Sequence, residues 1–97
     1  MNDKRTVTVA VQVIPLCDDP YPVVDRAIAA IAATGIKYEV GPLETTVEGD
    51  IDSALAVAKA AHLACFEAGA ARVVTLIKIG DAVGGSTIAD KVGKYRA

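Results

Sequence analysis

The stretch ETTVEGD, residues 44–50, sets two hydroxyls and three carboxylates between a strand-like pattern and a long helical one. Strand alternation sends Thr45 and Val47 to one side and Thr46 and Glu48 to the other. A carboxylate on a central strand is costly to bury unless it is paired, so Glu48 requires Lys78, Gln12, a partner subunit, a ligand or solvent. Gln12, Thr46 and Glu48, with Lys78 in reach, thus form the polar cluster best suited to a site, and an ordinary solvated face is the alternative. Asp50 is adequately explained as the N-cap of the following helix.

Other groups that could do chemistry stand more alone. His62 is the sole histidine, and its helical position turns it toward a sheet. Neither Cys65 nor an acidic residue at helical spacing completes a metal site with it, and one histidine makes no nucleophile triad. It reads as a hydrogen-bonded core residue or as the lining of a ligand cavity. The loop GDAVGGS followed by Thr87 invites comparison with a phosphate-binding P-loop, but Ser86 stands where that motif needs lysine. A helix cap by Ser86 or Thr87 is the plainer reading, with anion binding by free backbone N–H groups as the rival.

Several elements must position these residues. Residues 6–14, TVTVAVQVI, alternate with Val7, Val9, Val11 and Val13 on one face and Thr8, Ala10 and Gln12 on the other. Pro15 stops this strand. A helix over VVDRAIAAIAATG follows, with Val24, Ala27, Ile28 and Ile31 as its apolar face and Gly35 at its end. IKYEV and ETTVE flank a turn at Gly41-Pro42 as a hairpin. The second helix, IDSALAVAKAAHLACFEAG, presents Ile51, Leu55, Ala58, Cys65 and Phe66, and places Phe66 in the core. RVVTLIKI, apolar on both faces, suits a strand covered on both sides, and TIADKVGKY a short terminal helix. The order β-α-β-β-α-β predicts an α+β, ferredoxin-like fold: a four-stranded antiparallel sheet, both long helices on one face, the other face open, and a short C-terminal helix. The first and third strands then lie at the centre.

The whole chain narrows the classes. Its 97 residues suit a single domain, spanning 1–97, that needs no metal or disulfide to hold a core. A hydrophobic share of 53% with four aromatic residues implies an aliphatic core and apolar surface left over for contact between subunits. A net charge of −2, with both signs interspersed, gives no footprint for nucleic acid or an anionic membrane. Cys17 and Cys65 read as buried or partly buried free thiols of a reducing compartment. The charged start MNDKRT leads into strand alternation rather than a signal peptide, and no apolar run reaches the length of a membrane span. A cytoplasmic protein is expected.

Taken together, a first strand ending QVIP, the hairpin IKYEVGPLETTVEGD, the helix segment KAAHLACFEAGA and the strand RVVTLIKI resemble the small thiamine-binding protein family, single-domain relatives of a bacterial thiamine/hydroxymethylpyrimidine-binding protein. The resemblance runs over residues 7–91. It implies a ferredoxin-like subunit, assembled as dimers and usually homotetramers, that binds thiamine (vitamin B1) or its pyrimidine moiety without catalysis and needs no cofactor. Glu48, Thr45, Thr46 and Gln12 offer the acceptors and donors an aminopyrimidine requires. An acidic lining would suit the thiazolium cation, Tyr38 could supply an aromatic face, and His62 and Lys78 complete the candidate ligand-binding set. The competing readings are a small ferredoxin-like enzyme of oxygenase or isomerase type acting through His62, and a structural or regulatory oligomer without a ligand.

Overall fold

The computed structural model describes residues 4–96; the first three residues of the charged opening stretch lie outside it. The elements are β1 (Val7–Pro15), α1 (Tyr21–Ala33), β2 (Lys37–Val40), β3 (Thr45–Gly49), α2 (Ile51–Glu67), β4 (Val73–Gly80) and α3 (Ile88–Val92), followed by a 3-10 turn at Gly93–Tyr95. The four strands form one sheet in the order β2-β3-β1-β4, every pair antiparallel. This is the expected ferredoxin-like α+β arrangement, with β1 and β3 central.

The alternation of β1 decides where the core lies. Val7, Val9 and Val11 are buried against α1 and α2, where Val47 of β3 joins them. Burying such aliphatic side chains contributes about 1.5–3 kcal/mol each. From α1 come Val23, Ala27 and Ile31, so the most buried valine is Val23 rather than the expected Val24; Val24 and Ile28 lie half-buried at the flank. Prolines 20 and 22 are confined to the start of α1, where no intrahelical donor is lost.

The buried face of α2 is rotated from the sequence expectation. Ala54, Val57, Ala58, Ala61, Ala64 and Cys65 form it, whereas Leu55 and Phe66 lie outside, with Phe66 42% exposed. Alanines let α2 approach both α1 and the sheet closely, which leaves no room for the larger side chains between them. Asp50 caps α2 as anticipated, accepting a hydrogen bond from the Ser53 N–H at 3.2 Å.

β4 also departs from expectation. Its edge position follows from the expected strand order, but it is not covered on both sides: Val74, Leu76, Ile77 and Ile79 are each 46–48% exposed. Cys65 is buried, which pushes its thiol above the usual range, but Cys17 is exposed. The sheet face away from α1 and α2 is not left fully open: the C-terminal segment crosses part of it, and Thr8 and Ser86 are buried there with their hydroxyls 3.2 Å apart. No helix among the described residues is long and apolar enough to cross a membrane.

Candidate functional site

A mismatch in strand length builds the site. β1 has nine residues and β3 five, and β1 pairs with β3 only from Val7 to Val11. From Gln12 to Pro15 it pairs with β4 alone, so the backbone edge on the other side has no strand beside it. The gap is flanked by the turn between β2 and β3, carrying Pro42 and Leu43, and by the start of α1, carrying Pro20, Tyr21 and Val24. The result is a cleft of about 280 Å³ at the end of the sheet, continued by a tighter recess of about 50 Å³ that runs inward to Ile28, Ile31 and Thr45. Gln12, Val13, Val24 and Leu43 line both sections and join them.

Thr45 lies on the helix side of β3, as its alternation with Val47 requires, and is 5% exposed. Its hydroxyl makes no hydrogen bond with any described residue, nor does the Gln12 amide. Because every side-chain nitrogen or oxygen sealed from solvent among the described residues has a partner, the Thr45 hydroxyl must open to the recess. No Asp, Glu, Lys or Arg lines either section. The cleft therefore combines apolar walls, an aromatic ring at its mouth, the uncommitted Thr45 hydroxyl and a free strand edge to which Gln12 contributes. Such a surface accepts a flat, neutral, hydrogen-bonding molecule.

The structure disperses the rest of the candidate residues. Glu48 accepts a hydrogen bond from the Ile88 N–H at 2.8 Å and lies 3.6 Å from the Lys37 ammonium, so its partners are the terminal helix and β2 rather than Lys78 or Gln12. Lys78 pairs with Glu44 at 2.9 Å, and both line a separate cleft on the opposite sheet face together with Thr46. His62 shares a 2.6 Å hydrogen bond with the Thr75 hydroxyl of β4 and meets the Phe66 ring edge-on. Tyr38 pairs with Val47 at the sheet's outer strand and lines neither cleft. Of the seven candidates, the end cleft thus brings together Gln12 and Thr45, and Thr46 and Lys78 meet elsewhere.

Sequence reasoning did not find Tyr21, Val24, Ile28 and Leu43 as lining residues. The available signal was the apolar length of β1 beyond Val11, set against a hairpin strand that begins only at Thr45. Among the described residues, no group of three or more His, Cys, Asp or Glu side chains could hold a metal ion.

Comparison with known proteins places the chain. Residues 9–96 match the model of the family described as thiamine-binding protein. A UPF0045 protein from Clostridium perfringens is 47% identical over 93 residues, covering 94% of this chain and 98% of that protein. The structure of a domain of unknown function from Bacillus cereus superposes with a TM-score of 0.90 at 45% identity, over 99% of this chain and 96% of that one. A candidate thiamine biosynthesis/salvage protein from Thermotoga maritima gives 0.85 at 42% identity, over 94% and 99%. With the family model spanning almost all of it, this chain belongs to the thiamine-binding protein family.

Proposed function

We propose that the chain binds thiamine or its hydroxymethylpyrimidine moiety in the end cleft and performs no reaction on it. The observation that carries this reading is Thr45, a buried residue whose hydroxyl has no partner among the described residues and borders an uncharged recess. A ligand in the recess could take up the hydrogen bond that the protein leaves unused there, a gain of about 0.5–1.5 kcal/mol. An aminopyrimidine is flat and neutral, with an amino donor beside ring-nitrogen acceptors. The Thr45 hydroxyl and the free backbone edge of β1 at Gln12 and Val13 can satisfy those groups while Val24, Ile28 and Leu43 contact the ring faces. The thiazolium cation of thiamine would lie at the wider mouth near Tyr21, since no carboxylate of the cleft offsets its desolvation. The acidic lining imagined for this cation is absent from the cleft.

Thermal shift and calorimetry with thiamine and with hydroxymethylpyrimidine test the reading. Both should stabilise the protein, increasingly with ligand excess, as linkage requires. No heat and no shift with either compound at millimolar concentration would remove the proposal. An enzyme acting through His62 would need a second acid–base group beside it, and the contacts described for that ring are a threonine hydroxyl and a phenyl ring.

Self-association follows from a different observation. β4 is an eight-residue edge strand whose apolar side chains are half exposed on both faces. Leu55 and Phe66, at the helical spacing of His62, extend this strip along α2. Soluble proteins rarely leave such an edge unprotected, because it offers free backbone groups and apolar side chains to another strand. We propose that a second copy covers it, the two β4 strands pairing antiparallel.

A further inference from the structure

The sheet face opposite α1 and α2 holds a second cleft that the thiamine reading leaves unused. Two adjoining hollows of about 230 and 300 Å³ share Thr8, Glu44, Thr46 and Lys91. Thr8, Ala10 and Thr46 supply the sheet surface, α3 one wall, and the end of β4 another. The two hollows together are large enough for a small metabolite.

The charges of this cleft do not cancel. Lys78 is held by Glu44 at 2.9 Å, and Arg96 is paired with Glu39. Lys91 has no carboxylate within ion-pair distance among the described residues. Three cations, Lys78, Lys91 and Arg96, against two carboxylates, Glu39 and Glu44, leave one positive charge, and it falls on Lys91. The backbone brings that ammonium to a defined place. A methyl group added at Gly80 would lie 2.7 Å from Lys91 Nζ and 2.6 Å from Thr8 Oγ1, so ammonium and hydroxyl converge over a residue with no side chain. The Thr8 hydroxyl also contacts Ser86 Oγ at 3.2 Å and donates weakly to the Gly80 carbonyl at 3.4 Å. Thr46 adds a third hydroxyl, with no hydrogen bond to a described residue.

We infer that this cleft binds the phosphate group of a phosphorylated small molecule, with Lys91 as its counter-charge and the unengaged Thr46 hydroxyl as a hydrogen-bond donor. An ammonium on a flexible stem is a compact point charge suited to a phosphate, and the Thr46 hydroxyl can donate to an oxygen it leaves uncovered. Glu44 would repel the anion were it free, but Lys78 neutralises it.

An NMR titration of the full chain with inorganic phosphate, at constant ionic strength and without thiamine, tests this. Wild type, Lys91→Gln, Lys91→Arg and a control, Lys59→Gln on the exposed side of α2, would be compared. The expected result is a saturable shift of the Thr8, Thr46, Gly80 and Ser86 amides. It should weaken about tenfold in Lys91→Gln, the scale of one charge-assisted hydrogen bond, and persist in the other two variants. Equal affinity in Lys91→Gln and wild type, shifts that do not saturate, or shifts confined to Thr45 and Val24 would overturn the inference. The last pattern would instead place phosphate in the end cleft. Because thiamine is omitted, failure here leaves the pyrimidine reading untouched.

Discussion

Replacing Thr45 by valine should move stability and binding in opposite directions. The two side chains have nearly the same shape, and valine favours strands at least as well as threonine. In the ligand-free protein Thr45 as a residue is 5% exposed, and its hydroxyl, bonded to no described residue, keeps only a narrow access to the recess. Burying it unpaired costs about 1–3 kcal/mol. Since the oxygen retains contact with the recess, the lower end applies, and Thr45→Val should stabilise the chain by about 1 kcal/mol. For a domain of this size that is roughly 4–8 °C in melting temperature. With thiamine or hydroxymethylpyrimidine the same change removes a neutral hydrogen bond, about 0.5–1.5 kcal/mol, and affinity should fall roughly threefold to tenfold. Differential scanning calorimetry gives the first quantity and isothermal titration the second. A melting temperature that drops by several degrees would mean the hydroxyl already serves the fold. Unchanged affinity in a well-folded variant would mean the recess is not where the ring sits.

Gly80→Ala should destabilise by about 1–3 kcal/mol, the usual cost of overpacking, because the new methyl would collide with the buried Thr8 hydroxyl; urea titration measures it. On the proposed β4 pairing, wild type should sediment as a dimer and Ile77→Lys, at the centre of the edge strand, as a monomer, with the circular dichroism unchanged. Acid should weaken the fold through two aspartates. Hydrogen bonds from Ser53 hold Asp50 below its ordinary 3.8, and hydrogen bonds from Arg5 do the same for Asp81. A lowered folded pKa means that the unfolded chain takes up the proton first. The stabilisation is therefore present above about pH 4 and is lost as pH falls through the lowered values. Asp50→Asn and Asp81→Asn should each flatten the decline of melting temperature below pH 4.

Much of the architecture was legible because β1 states its two faces without ambiguity. Four valines in alternate positions can have only one buried side, and the strand order followed from element order and crossover handedness. The helix caps were equally local: Asp50 and Thr87 each bond a backbone N–H three residues on. Prediction weakened where one pattern fits two environments. Leu55 and Phe66 are apolar at helical spacing, and so are the alanines that displace them; only the tight approach of α1 and α2 decides between the two stripes. An apolar strand such as RVVTLIKI reads alike whether it is covered on both faces or left half exposed at a sheet edge. Glu48 required a donor, and the one it found belongs to Ile88, 40 residues later in a short terminal helix. The end cleft was hidden for a related reason: it is made by the absence of pairing along β1, which depends on where β3 starts rather than on any residue in the cleft.

The central place of β1 also bears on how the chain reaches its fold. β1 pairs Val7 with Gly49 and Thr8 with Gly80, so one neighbour follows about 40 residues behind it and the other about 70. Such non-local pairings carry a loop-closure cost before they yield any contact, and folding rates fall as sequence separation grows. Until β4 emerges, the valine-rich β1 has an unfilled side of the same kind that β4 keeps in the finished sheet. Nascent chains should therefore be most prone to mispairing between copies in that interval, which ends when the last quarter of the sequence docks.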